Sequence, residues 1–148
     1  MITGFQHMHS ALRWVVLALL VVTLVKAWQN RQSSFTAGKA KLGLFTVISM
    51  HIQLLLGLAL CIMKGWASML GQPGVMESTV MRFFTVEHLV GMLLAILFGT
   101  LGYSLTKRAA SDDMKHKRQL RYFGIALLLI VASIPWPFRP GFEAYGWF

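Results

Sequence analysis

Residues 42–63 read LGLFTVISMHIQLLLGLALCIM, an apolar stretch without a single Asp, Glu, Lys or Arg. A helix of ~20 residues crosses a hydrocarbon layer of ~30 Å, so this stretch is long enough to span a membrane. Three further apolar stretches lie at about residues 5–25, 83–106 and 122–138. The sequence therefore predicts an all-α integral membrane protein, with a single transmembrane domain that occupies residues 1–148.

The composition argues against an ordinary soluble domain. Hydrophobic residues make up 56% of the chain and the mean hydropathy is +0.61, whereas soluble domains contain ~45–50% apolar residues. Cys61 is the single cysteine, so no disulfide can form within one chain. The expected surroundings of the chain are therefore the lipid bilayer.

The net charge of +9 is concentrated in two connections between the apolar stretches. The basic residues are Lys26, Arg31, Lys39 and Lys41 in the first connection, and Lys107, Arg108, Lys115, Lys117, Arg118 and Arg121 in the third. Short basic loops remain in the cytoplasm, so we expect a multi-pass protein of the bacterial inner (cytoplasmic) membrane with both termini outside. This placement explains the charge without nucleic acid as a partner. His116 lies in the third connection and is predicted to be a solvated cytoplasmic residue.

The connections between the apolar stretches are short, which makes successive helices antiparallel and predicts an up-down-up-down four-helix bundle. Gly57, Gly91 and Gly99 would allow close approach of the helices. Pro135 and Pro137 are expected to end the fourth helix, because proline lacks the backbone N–H and clashes with the preceding turn.

Polar side chains within membrane helices are costly and usually functional. The chain places six of them in or beside its apolar stretches: His9, Arg13, His51, Gln53, Glu87 and His88. With a rise of ~1.5 Å per residue, His9 and His88 both lie roughly 6–8 Å below the outer boundary. His51 lies deeper, at roughly 17 Å and close to the midplane. The sequence therefore predicts that His9 and His88 share a level in the membrane.

Two histidines at one level on different helices are the arrangement that bis-imidazole haem ligation requires. Arg13 lies four residues after His9 on the same helix face, so its charge could neutralise a haem propionate. Arg82, close to the outer boundary, could do the same. The sequence thus predicts haem b bound through His9 and His88, with electrons passing from a membrane quinol to an outer acceptor.

Two other interpretations of these polar residues remain open. In the first, Arg13 and Glu87 form an ion pair, and His51 and Gln53 are polar groups that join helices. The chain would then be a non-catalytic accessory subunit of a larger membrane complex. In the second, His51, Glu87 and His88 relay protons or shape the polarity around a cofactor, and a quinone ring hydrogen-bonds a histidine.

Copper is a further alternative, because thioether and imidazole ligands suit this metal. Methionines are frequent on or near the predicted outer side, namely Met1, Met8, Met63, Met69, Met76 and Met81. His7 and His9 lie beside the first two of them. Methionine is also a common filler of apolar packing, so the pattern does not distinguish a copper site from a hydrophobic core.

Three short segments resemble a family of small four-helix bacterial membrane proteins catalogued as cytochrome b or cytochrome-b-like. They are HSALRW at residues 9–14, TVEH at residues 85–88 and SIPWPFR at residues 133–139, and the likeness extends to residues 45–51 and 146–148. The resemblance implies haem b held by histidines, which on this chain would be His9, His51 and His88. One haem uses two of these three, unless two chains in a homodimer share ligands.

Overall fold

The computed structural model describes residues 1–145, which are mostly helical and contain no strand; the likeness noted for residues 146–148 lies outside them. The helices are α1 (Ile2–Gln29), α2 (Ala37–Met63), α3 (Trp66–Met69), α4 (Thr79–Arg82), α5 (His88–Lys107) and α6 (Asp112–Ala132). A π-helical turn, Phe83–Glu87, joins α4 to α5. The prediction of an all-α chain is confirmed over the described residues.

Three of the four apolar stretches form helices that are long and apolar enough to cross a membrane. These helices are α1, α2 and the continuous segment Thr79–Lys107 that contains α4 and α5. All three begin before the predicted apolar stretches, and α1 and Thr79–Lys107 also end after them.

The fourth long helix, α6, starts and ends earlier than the apolar stretch at about residues 122–138. Helix α6 begins at Asp112, where the Ser111 hydroxyl caps it by accepting the Met114 N–H, and it ends at Ala132. Its first turns are therefore charged, and Pro135 and Pro137 follow closely after its end. Proline cannot supply the N–H that a further turn requires, so the apolar part of this helix is shorter than the sequence predicts.

The four long helices α1, α2, α5 and α6 pack as a ring of neighbours. Helix α1 lies against α2 and α6, and α5 lies against the same two helices, so α1 and α5 are diagonal. The start of α1 meets the end of α2, because Gln53 Nε2 donates to the His9 carbonyl at 2.8 Å. Further along, the Thr23 and Thr46 hydroxyls are hydrogen-bonded at 3.0 Å. These two helices are therefore antiparallel.

Small residues allow the close packing at the centre of this ring. A Cβ atom at Gly99 would lie 2.8 Å from Met50 Cε, and one at Gly102 would lie 2.6 Å from Tyr122 Cβ. Phe123 lies beside Gly43 and Gly99, at 3.7 Å and 3.9 Å from a Cβ atom added at each, and is fully buried. The outward faces are apolar as well, with Ile62 72% exposed, and such a surface is compatible with a lipid bilayer.

The connection between α1 and α2 folds over the beginning of α6. His116 Nε2 donates to the Ser33 carbonyl at 3.2 Å, and its ring packs edge-on against Phe35 at 5.2 Å between centroids. The Phe35 N–H donates to the Asp112 carboxylate at 2.9 Å. His116 is completely buried, so the prediction of a solvated residue is wrong. Burial lowers the pKa of His116, because the charged ring would lose its hydration.

Candidate functional site

His9 and His88 lie side by side at one end of the helix ring. Their ring centroids are 6.3 Å apart and their planes make an angle of 69°. His9 belongs to α1 and His88 begins α5, so the pair joins the two diagonal helices across the ring. The two residues that the helical rise places at one depth are thus in contact. This end of the molecule is called the His9 end below, and the opposite end is called the His116 end.

The His88 ring is oriented by the segment that follows α6. His88 Nδ1 lies 2.6 Å from the Ser133 carbonyl oxygen. A carbonyl oxygen can only accept, so Nδ1 carries the hydrogen, and in the neutral ring Nε2 keeps its lone pair. Histidines that bind metals are commonly held in this way by a carbonyl on the other nitrogen.

The His9 ring lies against the surface of α2. A Cβ atom at Gly57 would be 3.1 Å from His9 Cε1, so only glycine leaves full room for the ring there. Gln53, one turn earlier on α2, donates to the His9 backbone carbonyl. His9 Nδ1 and Gln53 Oε1 are buried, and neither has a hydrogen-bond partner among residues 1–145. Two polar atoms are thus available to a bound molecule or to water.

A cavity of about 250 Å³ adjoins both histidines. Its inner part is apolar and includes Met50, Met92 and Ile130. Polar lining residues near the His9 end are Gln6, His9, Arg13, Gln53, Lys64 and His88. An apolar cavity with a few convergent polar groups is typical of a site for a small molecule or cofactor.

Two cations line this cavity in the described part of the chain, and Arg13 is the first. Its guanidinium carbon lies 5.2 Å from the centroid of the Trp14 ring, within the range of a cation–π contact. The second cation is Lys64, whose Nζ donates to Gln6 Oε1 at 2.7 Å. The sequence did not lead us to predict Lys64 as a site residue, although its position directly after the apolar stretch of α2 places a positive charge at this end.

Arg82 and Glu87 form their own ion pair, with Arg82 Nε 2.7 Å from Glu87 Oε1. Arg82 also donates to the Met76 carbonyl at 3.0 Å. Glu87 therefore pairs with Arg82, in its own helical segment, and not with Arg13 as the accessory-subunit interpretation expects. Neither Arg82 nor Glu87 is a lining residue of the cavity beside His88.

His51 is separated from the other two histidines of the apolar stretches. Its side chain is exposed on the outward face of α2, and its Nδ1 donates to the Val47 carbonyl one turn earlier at 2.8 Å. This local hydrogen bond satisfies the ring without a second helix. His51 therefore does not belong to the cluster around His9 and His88.

The remaining ligand types give no larger cluster. Within residues 1–145, no group of three or more His, Cys, Asp and Glu side chains could hold a metal ion. Met8, Met76 and Met81 are exposed, and the methionines that line the cavity are Met50 and Met92. A haem iron needs only two protein ligands, because the macrocycle supplies the others, so the histidine pair is sufficient in number for haem.

The chain matches no protein-family model, no curated protein and no solved structure.

Proposed function

We propose that this protein is a four-helix, b-type cytochrome-like protein of the bacterial inner membrane. Helices α1, α2, α5 and α6 would form the bundle, with the His9 end and both termini outside and the basic connections in the cytoplasm. The proposal places one haem b between His9 and His88. Bound haem supplies reversible one-electron transfer, here between a membrane quinol and an outer acceptor.

The contact between His9 and His88 carries this proposal. Two imidazoles on opposite sides of one metal ion have their nitrogens about 4 Å apart and their ring centroids roughly 6 Å apart. The observed centroid separation is 6.3 Å, and the two rings come from diagonal helices that face each other. Edge-to-face ring pairs without a metal also have centroids about 4.5–7 Å apart, so the proposal depends on this separation together with the adjoining cavity and the orientation of His88.

The other groups of the cavity fit haem b as well. The apolar inner lining suits a macrocycle, and the carbonyl bond to His88 Nδ1 leaves Nε2 as the ligand atom. Arg13 and Lys64 would hold the propionates by charge-assisted hydrogen bonds. Arg82 is less suited to binding a propionate than the sequence predicts, because the Glu87 carboxylate already neutralises its charge.

A visible absorption spectrum of the purified protein tests the proposal. The protein is expressed with haem precursor, purified in detergent and reduced with dithionite. We expect a Soret band and reducible α and β bands, which are lost in His9→Ala and in His88→Ala. His51→Ala is the matched control and keeps the spectrum, because His51 faces outward and bonds its own helix.

Three other results of this experiment would contradict the haem proposal, each in a different way. A colourless wild-type protein that takes up no haem overturns the proposal and leaves an accessory subunit. Copper found by elemental analysis of that colourless protein indicates the copper alternative. A spectrum that survives His9→Ala and His88→Ala but disappears in His51→Ala moves the haem to another face of the protein.

A further inference from the structure

The segment that follows α6 contains two prolines, Pro135 and Pro137. In an α-helix each carbonyl accepts the N–H four residues later, and proline has no N–H. Val131 and Ser133 stand four residues before the two prolines, so their carbonyls lack the usual donor. Both carbonyls accept side-chain donors instead.

The two acceptors have different partners. The Val131 carbonyl accepts the indole N–H of Trp136 at 2.8 Å, which stabilises the turn itself. The Ser133 carbonyl accepts His88 Nδ1 at 2.6 Å, which links the turn to the candidate ligand on α5. Ser133 is itself buried, with 9% of its surface exposed. Water therefore competes little for this bond.

Gly91 allows the turn to reach His88. It lies three residues after His88 on the same face of α5. A Cβ atom at this position would overlap Ser133 Oγ and would lie 3.0 Å from Ser133 Cβ. An alanine there displaces the Ser133 hydroxyl. Because Ser133 Cβ would also be only 3.0 Å away, the end of α6 and the Ser133 carbonyl must shift from α5 by a few tenths of an ångström.

We propose that Pro135, Pro137 and Gly91 are positioning residues for His88. Pro137 leaves the Ser133 carbonyl without a helical donor, Pro135 and the Trp136–Val131 bond stabilise the turn that presents it, and the glycine lets that carbonyl approach the ring. Together they hold His88 as the Nδ1–H tautomer, which leaves Nε2 able to bind the haem iron. This inference rests on the proposed function for its purpose, but its structural content is testable without haem.

The direct test is nitrogen-15 NMR of histidine-labelled protein in lipid nanodiscs without haem. The His88 signals are assigned by their loss in His88→Ala. We expect wild type to show only the Nδ1–H tautomer. The double variant Pro135→Ala/Pro137→Ala restores two N–H donors, extends α6 and should give a mixture of tautomers. Pro140→Ala is the matched control, because Pro140 is exposed and outside this hydrogen-bond system.

Two further variants keep the test decisive if the double variant is unfolded by circular dichroism. Gly91→Ala should give the same loss of the single tautomer. Ser133→Ala should keep it, because the backbone carbonyl remains. The inference is overturned if wild-type His88 is the Nε2–H tautomer, or if Gly91→Ala and the double variant both retain the wild-type signals.

Haem titration provides the second measurement. Loss of an outer-shell partner of a metal-binding histidine typically weakens binding about 10- to 100-fold. We expect this loss in Gly91→Ala and in the double variant, with Pro140→Ala unchanged. If wild type binds no haem, the proposed function fails and the NMR result still decides the inference. If haem binds equally well to all variants, the positioning role fails and the proposed function stands.

Discussion

Replacement of Gly57 by alanine tests whether the His9 ring packs against α2 at this position. The added Cβ would lie 3.1 Å from His9 Cε1, whereas ordinary contacts begin at about 3.4 Å, so the ring must move by a few tenths of an ångström. A ligand must be held within about 0.5 Å of its productive position, so a shift of a few tenths of an ångström uses up most of this margin. We therefore expect haem affinity to fall about tenfold in Gly57→Ala and further in Gly57→Val, at the scale of other ligand-positioning changes.

The Gly57→Ala substitution should also change the free energy of unfolding, which can be measured without haem. Replacing a glycine inside a helix by alanine contributes about 0.5–1 kcal/mol through helix propensity. Gly124 lies inside α6, and a Cβ atom added there would meet no other atom within 4 Å, so Gly124→Ala should gain that full amount. Gly57→Ala should gain nothing or lose stability, because overpacking typically costs about 1–3 kcal/mol.

Thermal unfolding in one detergent, with parallel haem titrations, measures both effects. Gly124→Ala is the matched control for the change of glycine to alanine. The placement of His9 on Gly57 is refuted if the two variants gain equal stability and Gly57→Ala binds haem with wild-type affinity. A loss of stability in Gly124→Ala would instead show that glycine substitution has effects beyond local contact.

Three further predictions concern the packing and the His116 end. Gly102→Ala should destabilise the protein by about 1–3 kcal/mol, because its Cβ would lie 2.6 Å from Tyr122 Cβ; an increase in the unfolding temperature contradicts this. Thr23→Val should cost about 0.6 kcal/mol, the typical value of an interhelical hydrogen bond in a membrane, since Thr46 can still donate to the Leu42 carbonyl; chemical unfolding measures it. Burial lowers the pKa of His116 below its usual 6.5, so the unfolded chain binds the proton more readily than the folded one. The contribution of His116 is therefore complete above about pH 6.5 and is lost as the pH falls below that value. Unfolding temperatures measured from pH 7.5 to pH 5 should decline less in His116→Gln than in wild type, and equal declines refute the assignment.

The helical rise and the short connections were sufficient to predict that His9 and His88 lie at one level. Both residues stand at similar distances from the ends of their apolar stretches, and short connections bring those ends to one side. Depth in a helix follows directly from sequence position. The direction in which a side chain points around the helix axis requires knowledge of the neighbouring helices, which hydropathy does not provide.

His51 and His116 illustrate that second requirement. His51 lies in an almost continuous apolar stretch, so no polar face marks which side of α2 meets the other helices, and its exposure was not predictable. His116 is surrounded in sequence by charged residues, yet a neutral ring can be buried there because the first connection supplies the Ser33 carbonyl and the Phe35 ring. Both outcomes depend on contacts between segments that are distant in sequence.

For the SIPWPFR segment, the sequence predicts one effect of the prolines but not their relation to His88. Its prolines predict the end of α6 from backbone chemistry alone. They do not reveal that a carbonyl they leave free is the acceptor for His88, because that requires the close approach of α5 at Gly91. The SIPWPFR and TVEH segments are thus two parts of a single hydrogen-bonded unit, joined by the bond from His88 to the Ser133 carbonyl.

The buried polar atoms beside His9 connect stability with ligand binding. A buried polar atom without a partner costs about 1–3 kcal/mol, and both His9 Nδ1 and Gln53 Oε1 are of this kind among the described residues. An apolar side chain at position 53 would avoid part of that cost but would also remove the hydrogen bond to the His9 carbonyl. The proposed site is consistent with this arrangement: Gln53 holds α2 against His9, and His9 Nδ1 and Gln53 Oε1 can bond to a bound molecule or to water.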